Sequence, residues 1–156
     1  MTVVGAPAAG LACRRKYGYM PIIMTTAPCY CAALRAAARK TTAIYDEALA
    51  PAGIGLAQFS LLRKIERGGR LSLSELGRLA SLDRSTIGRN IKILQRMGLI
   101  EVGPGDDRRE ATVSLAEDGR AALRKGAPLW QAAQERFEAA LGEGGATQLR
   151  ALLAAL

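Results

Sequence analysis

The sequence predicts a mainly α-helical protein with one small β-hairpin, a winged helix-turn-helix flanked by N- and C-terminal dimerisation helices. Three observations carry that prediction. Two short helical patterns are separated by the tight turn Ser81-Leu82-Asp83. Just past Gly98 the apolar period changes from helical to alternating. The chain then closes on two leucine-bearing helical patterns that exceed what one small winged helix needs to cover.

The first helix is expected from about Tyr30 to Ala50, with Leu34, Ala37, Thr41, Ile44 and Ala48 on its apolar face and Pro51-Ala52-Gly53 ending it. A second runs from about Leu56 to Arg67 and stops at Gly68-Gly69. Ser72 and Glu75 form an S-x-x-E capping box that opens a third, with Leu76, Leu79 and Ala80 facing inward. Asp83 is a natural N-cap for the fourth, which runs to Met97 and is closed by Gly98. Leu99-Ile100-Glu101-Val102 reads as a strand and 103–107 as a loop. Ala111, Val113 and Leu115 alternate with polar residues in a half-buried second strand. A long helix over Glu117–Leu141 carries Leu123, Ala127, Trp130, Phe137 and Leu141 on one face, with a kink expected at Pro128. Leu149, Leu152, Leu153 and Leu156 mark a last helix.

Composition removes whole classes of function. The 156 residues include 22 Lys and Arg, 14 Asp and Glu and no His, for a formal charge of +8. Without His, no His-ligated metal site and no Ser/His/Asp or Cys/His catalytic arrangement is available. Three Cys are too few for a disulfide scaffold and suit a reducing, cytoplasmic setting. Positive charge is concentrated at the start and in the middle. Residues 1–45 hold six Lys and Arg and no acid, residues 60–110 hold eleven against seven, and residues 111–156 balance at five each. Such a balance fits an anionic partner, nucleic acid being the commonest. Residues 1–28 read as a disordered or misannotated tail. Val3–Cys13 is too short to span a bilayer, and its basic run Arg14-Arg15-Lys16 follows it instead of preceding it, so neither membrane nor export is expected.

The fourth helix carries the sharpest signal. At about 100° per residue, Ile87, Ile91 and Leu94 point one way, while Ser85, Arg89, Lys92 and Arg96 form a stripe on the opposite side. Thr86 and Arg84 lie at its margins, Asn90 is a further candidate contact with DNA, and no acid follows Asp83 until Glu101. Hydroxyls near a helix N-terminus with cations behind suit major-groove reading, with the long cations on phosphates. The hairpin adds Arg108 and Arg109 at its tip or shoulder. An ordinary solvated helix face is the bland alternative, and the capped helix, turn and hairpin around it decide against that.

The segments Leu76–Ile87, Gly98–Glu101, Asp107–Arg109 and Val113–Gly119 together resemble the MarR family of bacterial transcription regulators over roughly residues 29–156. That resemblance implies a winged helix-turn-helix over about 54–116 and dimerisation helices over about 29–50 and 117–156. It further implies a homodimer that binds a pseudo-palindromic double-stranded DNA site, as a repressor and not an enzyme, with no cofactor. Asp107 and Arg109 match the family's wing pattern, the carboxylate orienting an Arg for the minor groove. Ala116 departs from it, standing where a Thr often caps the long helix.

Cys29-Tyr30-Cys31 opens the first helix, where free N–H groups and the helix dipole favour a negatively charged, oxidisable sulfur. The first helix is similar to that of the family's organic-hydroperoxide-sensing branch. The similarity places Cys31 on the peroxidatic position and Tyr45 on one of the tyrosines that hydrogen-bond it; Arg35 and Leu56 stand where two more tyrosines are expected. Two gating signals therefore stay open: oxidation at Cys31 and Cys29, or a small aromatic or phenolic acid held between the dimer and DNA-binding regions. Two thiols without further Cys or His complete no tetrahedral metal site. Two readings from other classes compete: a thiol peroxidase using Cys31, which lacks a His base and a Cys-x-x-Cys pair, and a winged module that binds protein instead of DNA.

Overall fold

A computed structural model describes residues 29–105 and 110–156. The expected tail and the wing-tip residues Asp107, Arg108 and Arg109 lie outside the described residues. In chain order the elements are α1 (Tyr30–Leu49), a 3-10 turn (Ala50–Ala52), α2 (Leu56–Gly68), β1 (Leu71–Ser72), α3 (Leu73–Ala80), α4 (Arg84–Arg96), β2 (Ile100–Pro104), β3 (Ala111–Leu115), α5 (Glu117–Leu141) and α6 (Gly145–Ala154).

The core is built by α2, α3, α4, the sheet and the start of α5. Leu62, Ile65, Leu76, Leu94 and Val113 have no exposed surface, and Leu123 of α5 closes over them. Ser72 caps α3 as its sequence predicts: Ser72 Oγ accepts from Glu75 N at 3.2 Å, and Glu75 Oε2 accepts from Ser72 N at 2.9 Å. Ser81 enters the left-handed region at φ 53°, which turns the chain sharply between α3 and α4. Gly98 ends α4 at φ 71°, a value that a side chain would strain. Leu99 then pairs backward, its carbonyl accepting from Ala116 N at 3.1 Å.

Several expectations are corrected. The hairpin belongs to a three-stranded antiparallel sheet in the order β1-β3-β2, with Leu71 opposite Val113 and Ser72 opposite Thr112. β1 is two residues long and so shows no period of its own. β2 continues through Gly103 and Pro104, expected in the loop; Pro104 is tolerated because β2 is an edge strand. On α1 the inward face is turned relative to expectation: Tyr45 and Leu49 are buried, Leu34 and Ile44 exposed. Leu79, Ala127 and Leu141 are likewise exposed. α5 is one helix through Pro128 and buries Gly119, Leu123, Gly126 and Ala133. No residue of α6 is buried.

Candidate nucleic-acid interface

Asp83 sets up the start of α4. Its Oδ1 accepts from Ser85 N and Thr86 N, both at 2.9 Å, and from Ser85 Oγ at 2.6 Å; its Oδ2 accepts from Thr86 Oγ1 at 2.7 Å. The Ser85 hydroxyl, then the Thr86 hydroxyl and N–H, hold the Asp83 carboxyl far below the usual carboxylate range. Both hydroxyl protons thus point at Asp83. What Ser85 offers outward is oxygen lone pairs, not a donor, and the half-buried Thr86 Oγ1 also accepts from Arg89 Nη2 at 3.5 Å.

Behind them lies the cationic stripe. Ser85, Arg89, Lys92 and Arg96 are exposed, while Ile87, Ile91 and Leu94 on the opposite side are 1%, 4% and 0% exposed. Among the described residues, none of the ion pairs involves Arg84, Arg89, Lys92 or Arg96. Arg96 folds lightly back, Nε donating to Lys92 O at 3.3 Å. Asn90 differs from its neighbours. It is half-buried, and its Nδ2 donates to Thr86 O at 3.0 Å, because the helical angle brings it toward the core margin.

The wing strands are tied to the body at two places. Arg70 Nε donates to Thr112 Oγ1 at 2.8 Å and its Nη2 to the Pro104 carbonyl. Glu110 Oε1 accepts from Ser74 N at 3.3 Å. Sequence reading missed both residues, since a long-range bond leaves no periodic trace.

The thiols stand at the far end of α1. Cys29 is its N-cap in extended conformation and Cys31 lies in its first turn; both are exposed. Tyr45 does not meet Cys31 of its own protomer. It lies fourteen residues further along α1, about 21 Å away along the axis. Tyr45 Oη instead donates to Gln134 Oε1 at 2.5 Å, and Gln134 Nε2 to Glu138 Oε1 at 2.8 Å. Glu138 also accepts from Arg150 of α6. Burial, and then the Glu138 charge, push the Tyr45 phenol up. The chain of bonds ties α1, α5 and α6 together.

A cleft of about 390 Å³ between α2 and α5 also went unread. The Arg63 guanidinium lies 4.9 Å from the Trp130 ring centroid and 5.7 Å from that of Phe59; Glu66 lines the same α2 wall, and Arg124, ion-paired with Glu117 at 3.0 Å, lines the α5 wall. Phe59 and Arg63 stand four apart on one helix, but Trp130 meets them from a distant helix, which no local spacing encodes. No cluster of side chains able to hold a metal occurs among the described residues, and none of their helices is long and apolar enough to cross a membrane.

The family described as MarR matches residues 54–111, the span from the start of α2 to the start of β3. The transcriptional regulator MosR of M. tuberculosis, solved in complex with DNA, is 36% identical over 81% of this chain and 92% of that one, with a TM-score of 0.74. The chain belongs to the MarR family. Other solved regulators superpose equally well. A probable transcriptional regulator from Pseudomonas aeruginosa is 29% identical over 80% of this chain and 94% of that one, at a TM-score of 0.74. A mutant of MarR from E. coli complexed with operator DNA is 25% identical over 79% and 89%, at 0.73. No curated protein matches the sequence. A MarR-family chain is a transcriptional regulator and not an enzyme, and the winged helix-turn-helix is the part the family shares here.

Proposed function

We propose that the protein is a homodimeric regulator that binds a pseudo-palindromic duplex through α4, with Arg108 and Arg109 of the wing in the flanking minor groove. One observation carries the reading: a stripe of Arg89, Lys92 and Arg96 stands exposed, without an ion-pair partner among the described residues, on a helix whose other face is wholly buried. Placed in a major groove, Ser85 and Thr86 accept from base amino groups and the cations reach phosphates and guanine edges. The exposed Leu34 and Ile44 of α1, Leu152 and Leu153 of α6 and Leu156 just beyond it are the apolar surface that a second copy covers. A bound dimer occludes its site, so repression is the direct output.

We further propose that oxidation of Cys31 and Cys29 gates this binding. A hydroperoxide is the oxidant. The Cys31 sulfur attacks one peroxide oxygen, the O–O bond breaks, an alcohol leaves and a sulfenic acid remains; a second thiol then displaces water to form a disulfide. With Cys29 outside α1 and Cys31 inside it, a bond between them opens the first helical turn. Movement of α1 reaches the DNA-binding part through Asp46, whose Oδ1 accepts from Leu56 N at 2.7 Å at the start of α2.

The cleft favours a second gating reading. The Arg63 guanidinium beside the Trp130 ring suits a small aromatic carboxylate, against the one carboxylate of Glu66 in the lining, and the walls of the cleft belong to α2 and α5. Titration of genomic fragments selected for binding, across a salt series, tests the core proposal. Affinity should fall steeply with salt as phosphate contacts release counterions. A flat, weak titration would favour a protein-binding module instead.

A further inference from the structure

We infer that Arg70 is the residue that sets the angle of the wing, by clasping β2 and β3 together onto the body of the protein; the inference rests on the DNA-binding reading above. β1 pairs with β3 only through Leu71 and Ser72, so main-chain bonds hold the wing to the body over two residues. Beyond Thr112 the described wing consists of β2 and β3 paired with each other alone, through Pro104 with Ala111. A two-stranded ribbon held over so short a length swings easily. Arg70 lies just before β1 and just after α2, and it reaches both wing strands at the level where the β1 pairing ends. Nε donates to the Thr112 hydroxyl on β3 at 2.8 Å, and Nη2 donates to the Pro104 carbonyl on β2. Thr112 Oγ1 lies 3.3 Å from that same carbonyl and 3.4 Å from the Gly103 carbonyl, so its own proton completes the triangle.

The choice of Arg fits the task. A planar guanidinium presents donors in a fixed fork and can hold two acceptors at a set separation, which a Lys ammonium on a flexible stem does not. Nearer the tip and on the same face of the ribbon as Thr112, Glu110 Oε1 accepts from Ser74 N at the start of α3. Gly105 N donates to Glu110 O at 2.7 Å, so this second tie is continuous with the hairpin. Arg70 and Glu110 therefore fix the ribbon from opposite ends of the β1–α3 junction. Any residue carried further out on the ribbon inherits its direction from them.

The full-length protein on a selected duplex tests this with Arg70→Ala, Arg70→Lys and Thr112→Val. Hydroxyl-radical footprinting reads the minor groove, methylation protection at guanine N7 reads the major groove, and thermal unfolding reads the fold. The expected result for Arg70→Ala is loss of the flanking minor-groove protection, about tenfold weaker binding and intact N7 protection. Arg70→Lys fails to restore the flanks. Thr112→Val, which keeps a β-branched side chain and removes no cation, loses flank protection with an unchanged salt slope. Flank protection retained in both Arg70→Ala and Thr112→Val overturns the inference. So does a wild-type Thr112→Val beside an Arg70→Ala whose salt slope drops by about one, which would make Arg70 a direct phosphate contact. If Arg70→Ala does not fold, Thr112→Val decides alone. A wild-type protein that footprints on no selected duplex overturns the DNA-binding reading itself, a result distinct from intact flanks in the variants.

Discussion

Asp83 holds Thr86 by two bonds, a hydroxyl at 2.7 Å on Oδ2 and an N–H at 2.9 Å on Oδ1. The same carboxylate therefore caps α4 and orients the hydroxyls that face outward from it. Its folded-state pKa lies below its unfolded value of about 4, so the cap contributes fully above that pH and is lost as pH falls below it. Asp83→Asn keeps part of the cap but not the charge. The expected outcome is a melting temperature that falls less between pH 5 and pH 2 than in the wild type (about the range a carboxylate titrates). Glu75 and Glu117, held low by Ser72 and by Arg120 respectively, leave a residual slope in both proteins. Identical pH profiles for the two would refute the assignment.

The proposed interface assigns base reading to Arg89 and phosphate holding to Lys92. Arg89 stands near the start of the helix, one turn from Ser85, and Lys92 lies further along the stripe. Arg89→Ala should cost about 1–3 kcal/mol on the selected site and relax discrimination at one base pair. Lys92→Ala should weaken selected and unrelated duplexes alike and lower the salt slope by about one. Competition binding on a panel of single-base variants checks both. Equal discrimination by wild type and Arg89→Ala would remove the base contact.

The α4 stripe was legible because it is local: a helix repeats every few residues, so Ile87, Ile91 and Leu94 announce one face and Arg89, Lys92 and Arg96 the other. The Ser72–Glu75 box and the Asp83 cap were legible for the same reason. On α1 the pattern failed, since Ala at many positions leaves the apolar face ill-defined and most of the helix has nothing from its own protomer to cover it. Leu34 and Ile44 read as core because an exposed apolar face and a core look alike in one dimension. Arg70 with Thr112, or Arg63 with Trp130, meet across long stretches of chain, and no spacing encodes them. Tyr45 was placed by similarity near a thiol, whereas its hydroxyl serves the α1–α5–α6 packing in its own protomer.

Gly119 shows how closely α5 crosses the strand entry. A Cβ at that position would stand 2.0 Å from the Leu99 carbonyl oxygen, which itself accepts from Ala116 N. Ala is the better helix former by up to about 1 kcal/mol, yet here the backbone must shift. Gly119→Ala should lose about 3 kcal/mol or more by denaturant unfolding. Gly88 on α4 is the control: nothing lies within 4 Å of its built Cβ. Gly88→Ala should gain about 0.5–1 kcal/mol in the same assay. Matching effects at the two sites would contradict the packing described.

Trp130 is the single tryptophan of the chain and reports directly on the cleft. Benzoate is a suitable probe, its ring matching Trp130 and Phe59 and its carboxylate matching Arg63 or Arg124. Saturable quenching of the Trp130 emission is expected, with a rise in melting temperature as bound ligand favours the folded state. Arg63→Ala should abolish the saturable phase. Quenching that grows linearly with benzoate, in both proteins, would show collision and no site.

The thiols offer the sharpest test of gating, because Cys29 and Cys31 are distinguishable by position. Cys31 lies inside the first turn of α1 and Cys29 outside it, so loss of each interrupts a different step. With Cys31 as the attacking sulfur, Cys31→Ser should keep full DNA affinity and stay bound when cumene hydroperoxide is added. Cys29→Ser should still form a sulfenic acid, trapped by dimedone at Cys31, but should not form the Cys29–Cys31 disulfide. If helix opening is what releases DNA, Cys29→Ser also stays bound despite being oxidised. Circular dichroism then separates the variants, since the wild type alone should lose about one turn of helix on oxidation, roughly four residues of signal. Release of DNA from Cys31→Ser at the wild-type peroxide concentration would eliminate thiol gating and leave the cleft as the site where a signal enters.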